Sequence, residues 1–504
     1  MKKQRIISWI LAIAMLLPLA SCSETTVEET KSGAGEAAVE QPAGENEEVI
    51  EEETRLPLGV PEKSDFGGQD IKFLVWTHPS WVSTVREYRD IYSEGLNGEA
   101  INDTVYNRNL KVQENYNVII SQERMDLGQI SGTLSKEVTA GTNTYSVYYP
   151  RLYEGASMYQ KNYFHNLLDL ENLDLTQPWW DTSCVDALSV VGRLPAVATS
   201  LNVNDKDATA AVAFNKDAAA NYQLEDLYTI VREGRWTYDK VSELADAVDT
   251  DTNGDGVMGE DDFLGLLGGN DVMPAFWFGA GSNMITKNEN DEFVFSFGSE
   301  RDIDAAVKVI QMMNQTWFLN HHDSSRISST DDTFYRQLFE NGRALIFWMR
   351  LDDVTNMRAG ETEFGILPTP KYEEAQNSYY NYVSQHTTGI MSLPITLAGD
   401  QLTAVTTVLE AMAYESHYTL IPEYIESSLK TKHSRDAESA DMLDIIISSR
   451  IWDPMVIYDF GSFNGGFGAL GPNNNTDIAS FLRKNKKIVE KMIEKFVESQ
   501  AEME

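Results

Sequence analysis

Ile71-Lys-Phe-Leu-Val-Trp76 is a short, mostly apolar run, and it recurs in kind as Tyr116-Asn-Val-Ile-Ile120 and Tyr145-Ser-Val-Tyr-Tyr149. Runs of branched and aromatic residues bounded by polar turns read as β-strands. The intervening segments have a different period. Residues 101–116 read as a helix, with Asn102 or Asp103 as its cap and Val105, Leu110 and Val112 in its buried stripe. Gly128 to Thr139 reads as a second helix. Strands that alternate with helices predict an α/β architecture built on a largely parallel sheet.

The pattern continues outward. Gly192–Leu201 and Ala210–Phe214 read as strands, and Lys216–Tyr222 and Tyr238–Val248 as helices. Residues 301–316 are helical in pattern. Ala344–Trp348 and Phe364–Leu367 are apolar strands, the second closed by Pro368 and Pro370. The C-terminal part reads as helix over 401–416, 421–430, 436–450 and 476–500. About 440 residues follow position 65, which is too long for one small core and suits two lobes.

The N-terminus has the marks of an export signal. Lys2, Lys3 and Arg5 precede an apolar run from Ile6 to Ala20, too short for a stable membrane span. The run ends in Leu19-Ala20-Ser21-Cys22, which resembles the bacterial lipobox. That resemblance implies cleavage after residue 21, a lipid on Cys22 and an extracellular, membrane-anchored chain. One acyl chain binds a bilayer only marginally, so stable anchoring needs the diacyl or triacyl group that a lipobox implies. Residues 24–53 then carry eleven Glu and one Lys with no aromatic residue. Such a segment cannot bury enough surface to offset its ordering entropy, and 22–65 is expected to be a disordered acidic tether.

With 40 basic and 78 acidic residues, the formal charge is -38, which disfavours nucleic-acid phosphate as a partner. No later apolar run is long enough to cross a bilayer as a helix, which argues against a channel or permease. Ten Trp and 22 Tyr supply flat faces that can stack on sugars or fill the core. With Cys22 lipidated, Cys184 has no partner and is expected to be a buried hydrophobe.

Several short segments, in their order along the chain, resemble the carbohydrate-type solute-binding receptors of ABC importers. They are Val105-Tyr-Asn-Arg-Asn109 with Tyr116-Asn-Val118, Pro178-Trp-Trp-Asp181, Val212-Ala-Phe-Asn-Lys216 and Gly234-Arg-Trp-Thr-Tyr238. Asn341-Gly-Arg-Ala-Leu345, Phe364-Gly-Ile-Leu-Pro368, Lys432-His-Ser-Arg-Asp436 and Met442-Leu-Asp444 follow. The resemblance implies a periplasmic-binding-protein type II fold, with two α/β lobes hinged by crossing strands. Lobe 1 would comprise 66–196 plus 342–410, and lobe 2 would comprise 197–341 plus 411–504. It further implies a monomeric, non-enzymatic receptor that captures a carbohydrate, an oligosaccharide by preference, between the lobes and delivers it to ABC permease subunits. The chain has no G-x-x-x-x-G-K-[ST] phosphate loop, so it is not the ATPase of such an importer.

By position in that family, ligand contacts fall on Trp76, Trp179, Trp180, Asp181, Trp277, Trp348, Arg350 and Tyr382. Trp would stack on sugar faces while Asp and Arg bond vicinal hydroxyls. Trp236 and Trp317 read as core. Two other functions compete: a surface glycosidase using paired carboxylates, and a surface adhesin or sensor that kept the fold without a transporter.

One motif stands apart. Residues 249–262 read Asp-Thr-Asp-Thr-Asn-Gly-Asp-Gly-Val-Met-Gly-Glu-Asp-Asp. Calcium takes several hard oxygen ligands at fixed spacing, with glycine at the sharp turn. One register uses Asp251, Asn253, Asp255, the Val257 carbonyl and Asp262, with Gly256 at the turn. Another starts at Asp249 and ends at Glu260. The first is preferred because it places Met258 at the hydrophobic eighth position and resembles the loop of alginate-binding members of the family. A structural calcium ion is therefore expected. Dockerins need two such loops, and only one is found.

Overall fold

The computed structural model describes residues 55–77, 90–357, 360–429 and 437–503. Cys22, the signal sequence, the tether as far as residue 54 and Lys432–Asp436 lie outside the described residues. Residues 55–65 do not continue a free tether. The Leu56 amide donates to the Tyr418 hydroxyl at 2.9 Å, Tyr116 donates to the Pro61 carbonyl at 2.7 Å, and Val60 is buried. Leu56, Leu58 and Val60 give this piece apolar surface that the Glu-rich stretch before it lacks.

The first lobe is built on β1 (Gln69–Thr77), β2 (Val118–Asp126) and β3 (Val147–Tyr149), all parallel, in the order β2-β1-β3. β1 is central, and Ile71, Phe73, Leu74, Val75 and Trp76 are all buried, as a parallel strand covered on both faces requires. The helix Ala100–Tyr116 connects β1 to β2. Its cap is Glu99, whose carboxylate accepts the Asn102 amide at 2.8 Å; Asp103 turns back to the amides of Asn97 and Gly98. Leu110 is 40% exposed, and Ile101, Val105 and Val112 make the buried stripe instead. Tyr116 ends the helix rather than starting the strand, because Asn117 at φ 47° is the left-handed residue that stops it.

The second lobe contains β4 (Ala210–Asn215), β5 (Leu264–Gly268), the hairpin β6 (Ile285–Lys287) and β7 (Phe293–Phe295), β8 (Phe318–Asn320), β9 (Ala344–Arg350) and β10 (Phe364–Leu367). Its main sheet runs β10-β4-β9-β5-β8. β4 is antiparallel to both neighbours, whereas β5 is parallel to β8 and β9. The helix Tyr238–Val248 lies so close on β5 that a Cβ at Gly265 would fall 2.5 Å from that of Ala245.

Two expectations change here. Ala344–Arg350 and Phe364–Leu367 form strands, but they ladder with β4 and β5, so residues 342–382 belong to the second lobe and not the first. The chain returns later. Thr209 bridges Val383, Val197 bridges Met391 and Tyr148 bridges Ser392, so 383–394 runs back beside the outgoing crossover to the edge of the first sheet. The helix Gly399–Tyr418 then packs on Ala100–Tyr116, which keeps 411–418 with the first lobe. Residues 192–201 also make isolated bridges rather than the expected strand. A short pair, β11 (Asn381–Tyr382) with β12 (Arg450–Ile451), and the helices Ala437–Ser448 and Ile478–Ala501 complete the second lobe. Cys184 is buried, with the Ala198 amide donating to its sulfur at 3.4 Å.

Candidate functional site

Because β5, β8 and β9 are parallel, their C-terminal ends share one edge of the sheet, the usual place for a ligand in an α/β fold. A cavity of about 460 Å³ opens there. β5 delivers Asp271 through the turn Gly268-Gly-Asn-Asp271, β8 delivers His321, and β9 delivers Trp348 and Arg350. The returning crossover supplies His386 and Thr387. The cavity therefore sits where the second sheet meets the hinge.

Its polar groups are only partly matched. The Trp348 side chain is 5% exposed, and its Nε1 has no hydrogen-bond partner among the described residues. The same holds for Thr387 Oγ1 and His321 Nδ1. Unpaired buried donors and acceptors are costly and uncommon in folded proteins, so groups of them around one cavity point to a ligand. Larger, shallower grooves beside Phe293–Phe295 and between Tyr153 and Tyr458 contain no such atoms among the described residues.

The charged lining is partly committed. Arg350 Nε lies 3.4 Å from the Asp352 carboxylate but makes no hydrogen bond among the described residues, and the Arg350 charge also faces Asp353, Asp271 and Asp332. Asp331 caps the helix Asp332–Glu340 through the Thr333 amide at 2.8 Å. Asp332 lies 3.4 Å from the His321 ring. Burial drives the His321 pKa down to about 4, and burial lowers that of His386 as well, so both rings are neutral near pH 7. The first lobe reaches the same hinge segment. Tyr153, 45% exposed, has its ring 5.4 Å from that of His386, and Arg151 donates to the His386 carbonyl at 3.4 Å.

Of the eight residues assigned to the ligand by sequence, Trp348 and Arg350 line this cavity, and the other six do not. Trp76 is buried in β1 beneath the Arg151 guanidinium, 5.8 Å from its ring. Trp179 and Trp180 are buried and bond Glu410. Asp181 caps the helix Thr182–Leu188 and pairs with Arg450. Trp277 is fully buried between Phe297 and Phe467, and its Nε1 donates to the Asp302 carbonyl at 2.9 Å. Tyr382 is buried and stacks on Phe278 with centroids 5.6 Å apart. Trp236 and Trp317 are core, as read. Asp271, His321 and His386 went unnoticed. A Gly-Gly-Asn-Asp turn after a strand, and adjacent histidines in a chain holding only seven, were the available signals.

The acidic loop is closed by a bridge between Thr250 and Phe263. Asp251 accepts the Gly254 and Gly256 amides at 2.6 and 2.9 Å, and Gly256 sits at φ 80°. Asn253 accepts the Asp255 amide, Asp255 that of Val257, and buried Asp262 those of Thr252 and Gly259. Met258 packs on the second lobe's core. Asp249 turns away to Thr316, and Glu260 to the Ser328 amide. The side-chain oxygens of Asp251, Asn253, Asp255 and Asp262 are thus engaged by the loop's own backbone amides. No group of three or more His, Cys, Asp or Glu side chains converges as a metal centre among the described residues.

No family model matches the chain, and no curated protein does. Solved structures do. The GacH receptor of Streptomyces glaucescens, with structures unliganded and in complex with acarbose, aligns at TM-score 0.52 and 12% identity over 84% of this chain and 98% of its own. UspC of M. tuberculosis gives 0.52 at 14% identity, covering 84% and 100%. UgpB of Mycobacterium tuberculosis, in complex with glycerophosphocholine, gives 0.52 at 13%, covering 85% and 99%. Likeness at such identities is likeness of backbone, and with the two sheets and paired crossovers above it shows that the chain has the two-lobed periplasmic-binding-protein fold.

Proposed function

We propose that the chain is the extracellular receptor of an ABC importer, which captures a carbohydrate in the cavity at the hinge and passes it to permease subunits. The observation that carries this reading is the cavity itself. It joins the ends of three strands to the returning crossover, so a ligand there touches both a lobe and the hinge, and closure stabilised by the ligand follows from that position. Its volume of about 460 Å³ falls within the range of small-molecule sites. The unpaired Trp348 N–H and Thr387 hydroxyl are of the kind that sugar hydroxyls satisfy. The acarbose complex of GacH supports a carbohydrate as the ligand.

The same proposal includes a lipid on Cys22 holding the receptor at the outer face of the membrane. No helix among the described residues is long and apolar enough to cross a bilayer. It also includes a structural calcium ion held by Asp251, Asn253, Asp255, the Val257 carbonyl and Asp262, and a monomeric, non-enzymatic mode of action. Thermal-shift and calorimetric titration against mono- and oligosaccharides test it. Saturable binding of a sugar recovered uncleaved is the expected result. Stabilisation by peptides or polyamines with none by sugars would overturn the carbohydrate assignment, and release of cleaved product would make the protein an enzyme.

A further inference from the structure

We propose that the outer face of the C-terminal helix Ile478–Ala501 is a contact surface for an anionic lipid membrane. This surface is independent of the sugar site. From the reading above it takes only the chain's place at the outer face of a membrane.

The helix already has a complete core face. Ile478, Val489, Ile493, Phe496 and Val497 are buried, and Phe496 stacks on Phe293 with centroids 5.9 Å apart. Ile488 and Met492 are surplus apolar residues, 53% and 42% exposed and one turn apart. Lys484, Lys491 and Lys495 stand beside them, all exposed. Positions 484, 488, 491, 492 and 495 follow the spacing of a single helix face. Glu490 and Glu494 stand two positions beyond Ile488 and Met492, about 200° round the helix. They line the groove beside Phe293–Phe295, which the outer face meets at Lys491.

The charge of this segment runs against that of the chain. Acidic residues outnumber basic ones by 78 to 40, yet residues 483–495 hold Arg483, Lys484, Lys486, Lys487, Lys491 and Lys495 against Glu490 and Glu494. Lys486 lies 3.8 Å from Glu490, whereas Lys484, Lys487, Lys491 and Lys495 make no ion pair among the described residues. A basic helix face with exposed apolar side chains is suited to lie on a bilayer. Its apolar groups enter the headgroup boundary and its ammonium groups meet lipid phosphates. Carboxylates elsewhere on the molecule are screened beyond about 8 Å at physiological ionic strength, so the face acts locally. Lysine is depleted at the cores of protein–protein interfaces, which favours lipid over a protein as the occupant.

Co-sedimentation with vesicles tests this on the Cys22→Ala chain recovered from the medium, so that the anchor contributes nothing. Vesicles of phosphatidylcholine alone are compared with vesicles in which one lipid in three is phosphatidylglycerol. Partitioning roughly tenfold stronger onto the anionic vesicles is expected at about 0.1 M salt, and it should disappear at about 1 M. Lys484→Gln, Lys491→Gln and Lys495→Gln together should abolish it, with the unfolding midpoint unchanged. Ile488→Ser with Met492→Ser should weaken it. Equal partitioning onto both vesicles, or none onto either, would overturn the proposal and leave the sugar receptor standing. Anionic binding kept by the triple lysine variant would place the contact elsewhere and overturn it too. Self-association in the ultracentrifuge that the same substitutions remove, without lipid binding, would make the face a contact between copies instead.

Discussion

The Glu410 carboxylate accepts the indole N–H of Trp179 at 2.7 Å, and its other oxygen takes that of Trp180 at 2.9 Å. Two tryptophans that read as sugar platforms are therefore clamped by one buried acid on the helix Gly399–Tyr418. Burial pushes the Glu410 carboxyl up from 4.5 to about 7, against the two indole donors and the Asp174 amide. A carboxyl raised on folding binds its proton more tightly in the folded state. Its contribution to stability is therefore full below pH 4.5, falls as pH rises through about 7 and is constant above that. Between pH 4.5 and 8 the protein should lose on the order of 2–3 kcal/mol more than Glu410→Gln does. Burial also raises Asp90 and Asp453 to about 6, so the difference between the two proteins is the informative quantity. Urea denaturation across that range measures it, and parallel curves would exclude the clamp as their source.

Asp181 belongs to the same tryptophan segment and was read as a ligand contact, but it is the anionic half of a buried ion pair. Arg450 bonds it and lies 3.6 Å from Asp205, and Trp452 donates to it at 3.2 Å. Arg450→Met would take the bonded cation from buried Asp181, whereas Asp205 keeps Lys206 at 3.0 Å; breaking a buried pair in this way typically costs about 3–5 kcal/mol. Asp181→Asn in that background should recover part of the loss, because the two residues share one interaction. Burial is the largest single influence on the Asp181 pKa and raises it, but the Arg450 charge, the hydrogen bonds from Ser183 and Arg450 and the Lys206 charge together outweigh it and lower it. The pair should therefore stabilise the fold above the unfolded carboxyl pKa, about 3.9, and cease to do so as the solution is acidified. Chemical denaturation of the single and double variants checks this. Additive losses would dissolve the pair into two separate effects.

The alternation of strand and helix in the first lobe was legible because each element is long or strongly patterned. Tyr238–Val248 and Phe364–Leu367 fall where their periodicity places them. Which sheet a strand joins is a different kind of information. β9 is a run of Ala-Leu-Ile-Phe-Trp-Met, and its apolar side chains would suit either sheet; only the ladder with β4 and β5 decides. The tryptophans failed as markers for a related reason. An indole fills core and cleft equally well, and its assignment depends on where its N–H goes. For Trp179 and Trp277 it goes to protein acceptors, and for Trp348 it does not. Asp271 was missed because, among 78 acidic residues, only its Gly-Gly-Asn-Asp turn after a strand marks it.

Calcium should stabilise the fold through the loop at 251–262. A ligand at a hundredfold excess over its Kd adds about 2.7 kcal/mol to the folded state. Unfolding in millimolar calcium should therefore occur at a higher temperature than in EGTA. Asp255→Ala should abolish the difference. Glu260→Ala should keep it, because that carboxylate is engaged with the Ser328 amide outside the loop. Identical midpoints with and without calcium would remove the ion from the proposal.

Anchoring and recognition should separate. Cys22→Ala is expected to move the protein from the membrane fraction to the medium while its sugar affinity stays the same. An affinity that fell with release would contradict an independent receptor on a tether.

The difference between Trp348 and Trp277 gives the sharpest prediction. Trp277 is ringed by Phe297 and Phe467, and its N–H is bonded to Asp302, so Trp277→Phe removes both packing and a hydrogen bond. A loss of about 2–4 kcal/mol in stability with unchanged ligand affinity is expected. The Trp348 N–H has no protein partner among the described residues and borders the cavity. Trp348→Phe gives up some packing but relieves an unsatisfied buried donor, and such a donor carries a penalty of about 1–3 kcal/mol. The two effects offset, so the free protein should unfold within about 1 kcal/mol of the original. Affinity should fall tenfold or more, because the ligand is the partner that satisfies the N–H. Denaturation without ligand and calorimetry with it give both quantities for both variants. The opposite pattern, with Trp348→Phe unstable yet binding normally, would return Trp348 to the core and remove the cavity's main recognition element.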